Sequence, residues 1–227
     1  MGVNFPVHHV RWEPCWRIIP TRYPEERILE KVADPKDVET ILELEQMTNE
    51  RLRQERGEVA IVASKDWVSG PGSEYIMAPF TYRNPGGSRF SDGTFGVYYA
   101  AHSLETAIEE NKHHRQVFMS RTKEGPMRLE MRALTADLDG NLHDIRGMKK
   151  KAAKVYSKTS YTASQALAHE LMKDFSYGIA YNSIRHKGGQ CTAVFRPAVL
   201  SHCRPERHVI FEWNGKKIGK VYELREY

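Results

Sequence analysis

Several sets of residues in this chain could do chemistry, and most fail on spacing. Histidines pair at His8-His9 and His113-His114, and His202 stands beside Cys203. None has ligand spacing of the kind that holds zinc, in which two close cysteines are combined with two close histidines. The sequence therefore predicts no metal. Cys15, Cys191 and Cys203 lie in apolar or strand-like stretches and read as small core residues. No Gly-x-Gly-x-x-Gly follows a strand pattern and no Gly-x-x-x-x-Gly-Lys occurs. That removes Rossmann-type dinucleotide binding and the P-loop. What is left is a few polar residues in unexpected company. Glu110 shares a helix face with Thr106, Ala107, His113 and His114, and a face that starts at Ala107 points inward. Arg89 follows Gly86-Gly87, where backbone can approach a ligand closely. Tyr99 lies in a buried strand, and Ser183 ends another, just before Arg185. Taken singly, each has an ordinary reading: a solvated carboxylate beside Glu109, a loop arginine, a core tyrosine.

The elements that must position these residues can be read from pattern. Asp34-Pro35 is an N-cap followed by proline at the first helical position, and Gly57 suits the far end. A helix is expected over 34–57. Residues 59–63 are short and β-branched and predict a strand. Asn84-Pro85-Gly86-Gly87 is a loop. Residues 95–101 read as a buried strand, followed by Ser103 as N-cap and a helix over 104–118. Residues 126–134 alternate cleanly, with Met127, Leu129, Met131 and Ala133 on one face. Asp139-Gly140-Asn141 predicts a turn after that strand. A helix is expected over 163–173. Strands over 178–184 and 191–195 flank Lys187-Gly188-Gly189, a hairpin turn. Strands over 209–213 and 218–224 flank Asn214-Gly215, a second one. Strands outnumber helices in the second half, so the class is α+β with a largely antiparallel or mixed sheet.

Composition bounds the partners. The chain has 227 residues, a net charge of +5 and 40% hydrophobic residues. That is ample for a packed core without disulfides or metal. No apolar run is long enough for a membrane span, and the first twenty residues lack the apolar segment of a secretory signal. Three cysteines, odd in number and far apart, suit a reducing cytoplasm. The charge excess fits a nucleic acid, a pocket for a phosphorylated small molecule, or plain solvated surface. Its densest cluster is Lys149, Lys150 and Lys151 with Lys154. No repeat or linker divides the chain, which favours one domain.

Three separate strings carry a family resemblance. They are Gly87-Ser88-Arg89-Phe90, the run Gly96-Val97-Tyr98-Tyr99-Ala100-Ala101-His102-Ser103-Leu104-Glu105-Thr106-Ala107-Ile108-Glu109-Glu110, and Gly178-Ile179-Ala180-Tyr181-Asn182-Ser183-Ile184-Arg185. In this order they resemble the RES-domain family, named for an arginine, a glutamate and a serine that match Arg89, Glu110 and Ser183. The likeness extends from Cys15-Trp16-Arg17 to about Pro197. Phe90-Ser91 departs from the family's frequent Trp-Asn, and the helix expected over 34–57 is an insertion relative to the shortest members.

The resemblance implies a single RES-type catalytic domain over 1–227 with an ADP-ribosyltransferase-like fold. It implies a cytoplasmic toxin of a bacterial toxin–antitoxin pair that degrades NAD by phosphorolysis or hydrolysis. NAD is then the substrate, inorganic phosphate a candidate co-substrate, and there is no prosthetic group. Glu110, Arg89 and Ser183 become the catalytic set. Arg17 joins Arg89 at the NAD phosphates, Tyr99 is the pocket aromatic, and Arg185 and His114 are further anion-binding candidates. The expected partner is a helix-turn-helix antitoxin protein, a homodimer is allowed, and neither membrane nor direct nucleic-acid binding is expected. Transfer of ADP-ribose to a cellular protein is the alternative enzyme reading. A basic nucleic-acid-binding module is the alternative of another class, though it lacks a recognition-helix pattern and exposed aromatic ladders.

Overall fold

The computed structural model describes residues 5–21, 62–82, 84 and 86–224. The helix expected over 34–57 lies outside them, as does most of the strand expected over 59–63. The latter's described end, Val62 and Ala63, is not in a strand.

Strand pairing organises the chain. The strands are β1 (Val7–Pro20), β2 (Tyr98–Ala101), β3 (Met127–Asp144), β4 (Gly178–Asn182), β5 (Gln190–Val194), β6 (Leu200–Trp213) and β7 (Ile218–Leu224). They form a seven-stranded sheet in the order β1-β2-β5-β4-β3-β6-β7, and β1 also pairs with β3. That extra pairing closes β1, β2, β5, β4 and β3 into a ring, while β6 and β7 extend outward from β3. The β3–β4 pairing is parallel, through His143 and Asp144, and the other pairings are antiparallel. The class is α+β with a mixed, mostly antiparallel sheet, as the strand pattern predicts.

Alternation along the strands builds a core on each side of the sheet. Val10 and Trp12 of β1, Leu134, Leu138 and Leu142 of β3, and Tyr98 of β2 bury themselves together on one side of the sheet. Helix α1 (Ser73–Thr81) covers that side with Tyr75, Ile76 and Phe80. Each fully buried leucine here contributes about 1.5–3 kcal/mol of transfer free energy. Met131, Ala133, Ile179, Tyr181, Cys191 and Ala193 face the other way. Helices α2 (Leu104–Met119) and α3 (Thr162–Lys173) contribute Ala107, Met119, Ala168 and Leu171 to that second core. Among the described residues no helix is long and apolar enough to cross a membrane.

Two expectations change. The alternating segment at 126–134 is the start of a much longer strand, and Asp139-Gly140-Asn141 makes no turn. Those residues pair instead with Arg11, Val10 and His9 of β1. Gly140 is needed there for room, since a Cβ would sit 2.4 Å from the Val199 side chain. Strand β1 itself is unanticipated, although Val10 and Trp12 alternate inward as the strand rule demands. The Ser103 cap and both hairpins fall where the residues place them, with Ser103 Oγ accepting from Thr106 N at 3.3 Å.

Candidate active site

Glu110 lies on the inward face of α2, and the start of that helix also carries the loop that brings Ser183 to it. Thr106 Oγ1 and His186 Nδ1 are 2.8 Å apart, joining the β4–β5 turn to the first turn of α2. Gly189 makes this contact close: a Cβ there would lie 2.7 Å from both Thr106 Oγ1 and Cγ2. In β4, Ile179 and Tyr181 point toward α2, and Ser183 continues the same alternation just past the strand.

The hydrogen bonding around Ser183 is directional. Its Oγ accepts from the backbone N–H groups of His186 (2.8 Å) and Arg185 (3.1 Å). The hydroxyl proton therefore goes to Glu110 Oε1, 2.6 Å away. Ile184 N also donates to Oε1, at 3.2 Å. One carboxyl oxygen is thus pinned by the β4–β5 turn, and Oε2 has no hydrogen-bond partner among the described residues. That is the geometry of a carboxylate held rigid with one oxygen left to meet a ligand.

Arg89 is brought to the same place by Tyr99. The Tyr99 hydroxyl accepts from Phe90 N at 2.8 Å and shares a hydrogen bond with Ser88 Oγ at 2.7 Å, in which either hydroxyl can donate. Burial pushes this hydroxyl up to about 12, so it stays protonated and neutral. Gln165 of α3 closes the loop from outside, donating to the carbonyls of Ser88 (3.0 Å) and Ser91 (3.1 Å). Phe90-Ser91 serves this same loop. Phe90 is fully buried, its ring edge-on to Tyr181 at 5.1 Å, and Ser91 Oγ donates to Phe95 O at 2.6 Å.

The guanidinium of Arg89 is 8% exposed and divided in function. Its Nη1 donates to Val155 O (3.1 Å) and Ser157 O (2.9 Å), and its plane lies over the Tyr161 ring at 4.6 Å. Nε and Nη2 have no hydrogen-bond partner among the described residues. Arg185 grips the same segment, donating from Nη2 to Lys158 O at 3.3 Å. His113 feels Arg185, Glu110 and Arg89 together, and Tyr181 feels Glu110, Tyr99 and Arg89. These residues therefore share one electrostatic neighbourhood. Burial, then Arg185, holds His113 below its ordinary value, with Glu110 pulling the other way. His114 is exposed next to it, ring centroids 5.6 Å apart, and makes none of the site's hydrogen bonds.

Arg17 is not brought to this group. It pairs with Leu134 across β1 and β3, and so points to the side of the sheet that α1 covers, away from α2. Its guanidinium lies over Tyr98 at 4.7 Å, Nη1 donates to Tyr99 O at 3.2 Å, and Nε is buried without a partner. Burial lowers its pKa. Pattern alone also passed over Tyr181, Tyr161 and Gln165. Of these, Tyr181 was findable, because period two puts it on the face of Ser183. The cysteines are all buried thiols, with Cys15 pushed up to about 12 and Cys203 to about 11 by burial. Among the described residues no group of His, Cys, Asp and Glu is arranged to hold a metal.

A family profile described as the RES domain matches residues 66–214, a span that holds Arg89, Glu110 and Ser183 and leaves Arg17 outside. The chain belongs to the RES-domain family. This RES domain is 31% identical over 207 residues to the uncharacterized protein y4oC of Sinorhizobium fredii, covering 91% of this chain and 86% of that one. Among solved structures it is similar to a chain of the M. tuberculosis MbcT-MbcA toxin-antitoxin complex. That likeness has a TM-score of 0.46 and 13% identity over 87% of this chain and 86% of the other.

Proposed function

We propose that this RES domain cleaves the nicotinamide–ribose bond of NAD, with water or inorganic phosphate as acceptor, and acts as the toxin of a toxin–antitoxin pair. The observation that carries this reading is the serine-pinned Glu110, whose Oε2 has no partner among the described residues, in the same electrostatic neighbourhood as Arg89 and Arg185.

Bond cleavage sends the glycosidic electron pair to the pyridinium nitrogen, so nicotinamide leaves neutral and needs no acid. Positive charge develops on the ribose, as it does in glycoside cleavage, and a rigid carboxylate stabilises it. Ser183 and Ile184 N hold that carboxylate in place, which leaves little reorganisation for the moment of reaction. The free Nε and Nη2 of Arg89, with Arg185 beside them, offer charged donors to the pyrophosphate. A hydrogen phosphate acceptor brings an already ionised oxygen to C1 of the ribose, whereas attacking water gives up a proton. The basic neighbourhood lowers the cost of admitting a second anion, which favours phosphate. Tyr99 serves this site by fixing the Arg89 loop. The fold expected of the family, ADP-ribosyltransferase-like, agrees with this use of a glutamate on NAD.

The test is incubation of the purified chain with NAD, with and without phosphate, followed by product mass. ADP-ribose 1-phosphate with free nicotinamide supports phosphorolysis, and ADP-ribose supports hydrolysis. Glu110→Gln should lower the rate by about 10² or more, while the melting temperature stays near that of the parent. An equally active Glu110→Gln enzyme would refute the assignment. Label from NAD appearing on a protein in lysate would favour transfer instead. The inhibitor expected of such a toxin is a helix-turn-helix antitoxin, tested by restoration of growth on co-expression.

A further inference from the structure

The basic run Lys149, Lys150, Lys151 and Lys154 takes no part in the site described above. All four side chains are exposed, and none makes an ion pair among the described residues. Their recorded contacts are with rings: Lys149 lies 5.8 Å from Tyr156, and Lys151 5.8 Å from Phe5. Uncompensated like charges this close repel one another, so a ligand that brings negative charge relieves the surface as it binds.

The run is also not a plain solvated face. Lys150, Lys151 and Lys154 surround a cavity of about 420 Å³ whose floor includes Phe5, Val155 and Leu167. The lining is mostly apolar, and Phe5 and Val155 are 5% and 9% exposed. A ligand that satisfied only the lysines would leave this floor wet. Nucleic acid is such a ligand, because Phe5 is too buried to stack on a base and no exposed aromatic side chain lines the cavity. An extended acidic chain carries both chemistries, since carboxylates and an apolar side chain can alternate along it.

We propose that this face docks an acidic peptide segment of a partner protein, seating one bulky apolar side chain in the cavity and its carboxylates on the lysines. The docking segment would lie against residues 150–155, whose continuation gives the carbonyls of Val155 and Ser157 to Arg89. A partner held there bears directly on the backbone that positions the site's arginine. The inference does not depend on what the site does with NAD.

Fluorescence anisotropy of the full chain with a short labelled peptide of Glu and Ser, carrying one central Phe, tests it. Saturable binding is expected, weakened at least about tenfold by Lys150→Glu with Lys154→Glu, and by replacing the peptide's Phe with Ser. Ala153→Trp, at an exposed lining position, should weaken it without added charge. A melt of each variant checks that the fold is kept. Equal binding of the Phe and Ser peptides would reduce the face to non-specific charge and overturn the proposal. So would tighter, lysine-dependent binding of a labelled oligothymidylate or of phosphatidylglycerol vesicles, which would assign it to nucleic acid or lipid.

Discussion

Ser183→Ala tests whether the serine works through Glu110 or takes part in the chemistry itself. The substitution removes the 2.6 Å donor to Oε1 and leaves Ile184 N as the carboxyl's remaining anchor, at 3.2 Å. A hydrogen bond to a charged acceptor is worth about 1.5–3 kcal/mol. With each factor of ten in rate costing about 1.4 kcal/mol, kcat should fall by about 10- to 150-fold. KM for NAD should move much less, since Arg89 keeps its bonds to Val155 O and Ser157 O. The backbone N–H groups of Arg185 and His186 also lose their acceptor in a residue only 3% exposed. Leaving such groups unpaired costs roughly 1–3 kcal/mol, or about 2–4 °C of melting temperature per kcal/mol in a chain this long. The assay is nicotinamide release over a range of NAD concentrations for the parent, both single variants and the Ser183→Ala/Glu110→Gln double variant. If Ser183 acts by positioning Glu110, the double variant is no slower than Glu110→Gln alone. A further large loss in the double variant, or unchanged kcat in Ser183→Ala, would refute the reasoning.

Arg89→Lys has one ammonium in place of a planar fork, so it cannot hold Val155 O and Ser157 O and also stack on Tyr161 while turning a second donor edge to the ligand; it should melt lower and raise KM for NAD by about tenfold or more. Arg17→Met, on the opposite side of the sheet, should leave KM unchanged and alter stability little, because it removes a buried guanidinium whose Nε has no partner. A KM rise of about tenfold would instead place Arg17 at the substrate. His113 is held below its ordinary value of 6.5 in the folded chain, so the unfolded chain takes up a proton first as pH falls. Stability therefore declines below about pH 6.5, and His113→Gln should remove part of that decline in urea melts between about pH 7 and pH 5.

Local chemistry made much of this protein readable from its residues. Ser103 as a cap, Asn214-Gly215 as a turn and the alternation at Met127, Leu129 and Met131 each depend on neighbours a few positions away, and each appears in the fold. The family was also legible, because the strings that hold Arg89, Glu110 and Ser183 are distinctive, and Ala107 marks the inward face on which Glu110 meets Ser183. Which side of the sheet a side chain takes depends on long-range pairing, and the sequence alone did not decide it. Arg17's pairing with Leu134 puts it on the face of the sheet opposite α2, which its neighbours in the sequence do not reveal. Asp139-Gly140-Asn141 has the composition of a turn, and a partner strand more than a hundred residues earlier in the chain holds it extended. The division of Arg89 between Val155, Ser157 and a free edge likewise depends on a segment far along the chain. Types and short spacings therefore set what chemistry is available, and the closure of the sheet decides which of those groups meet.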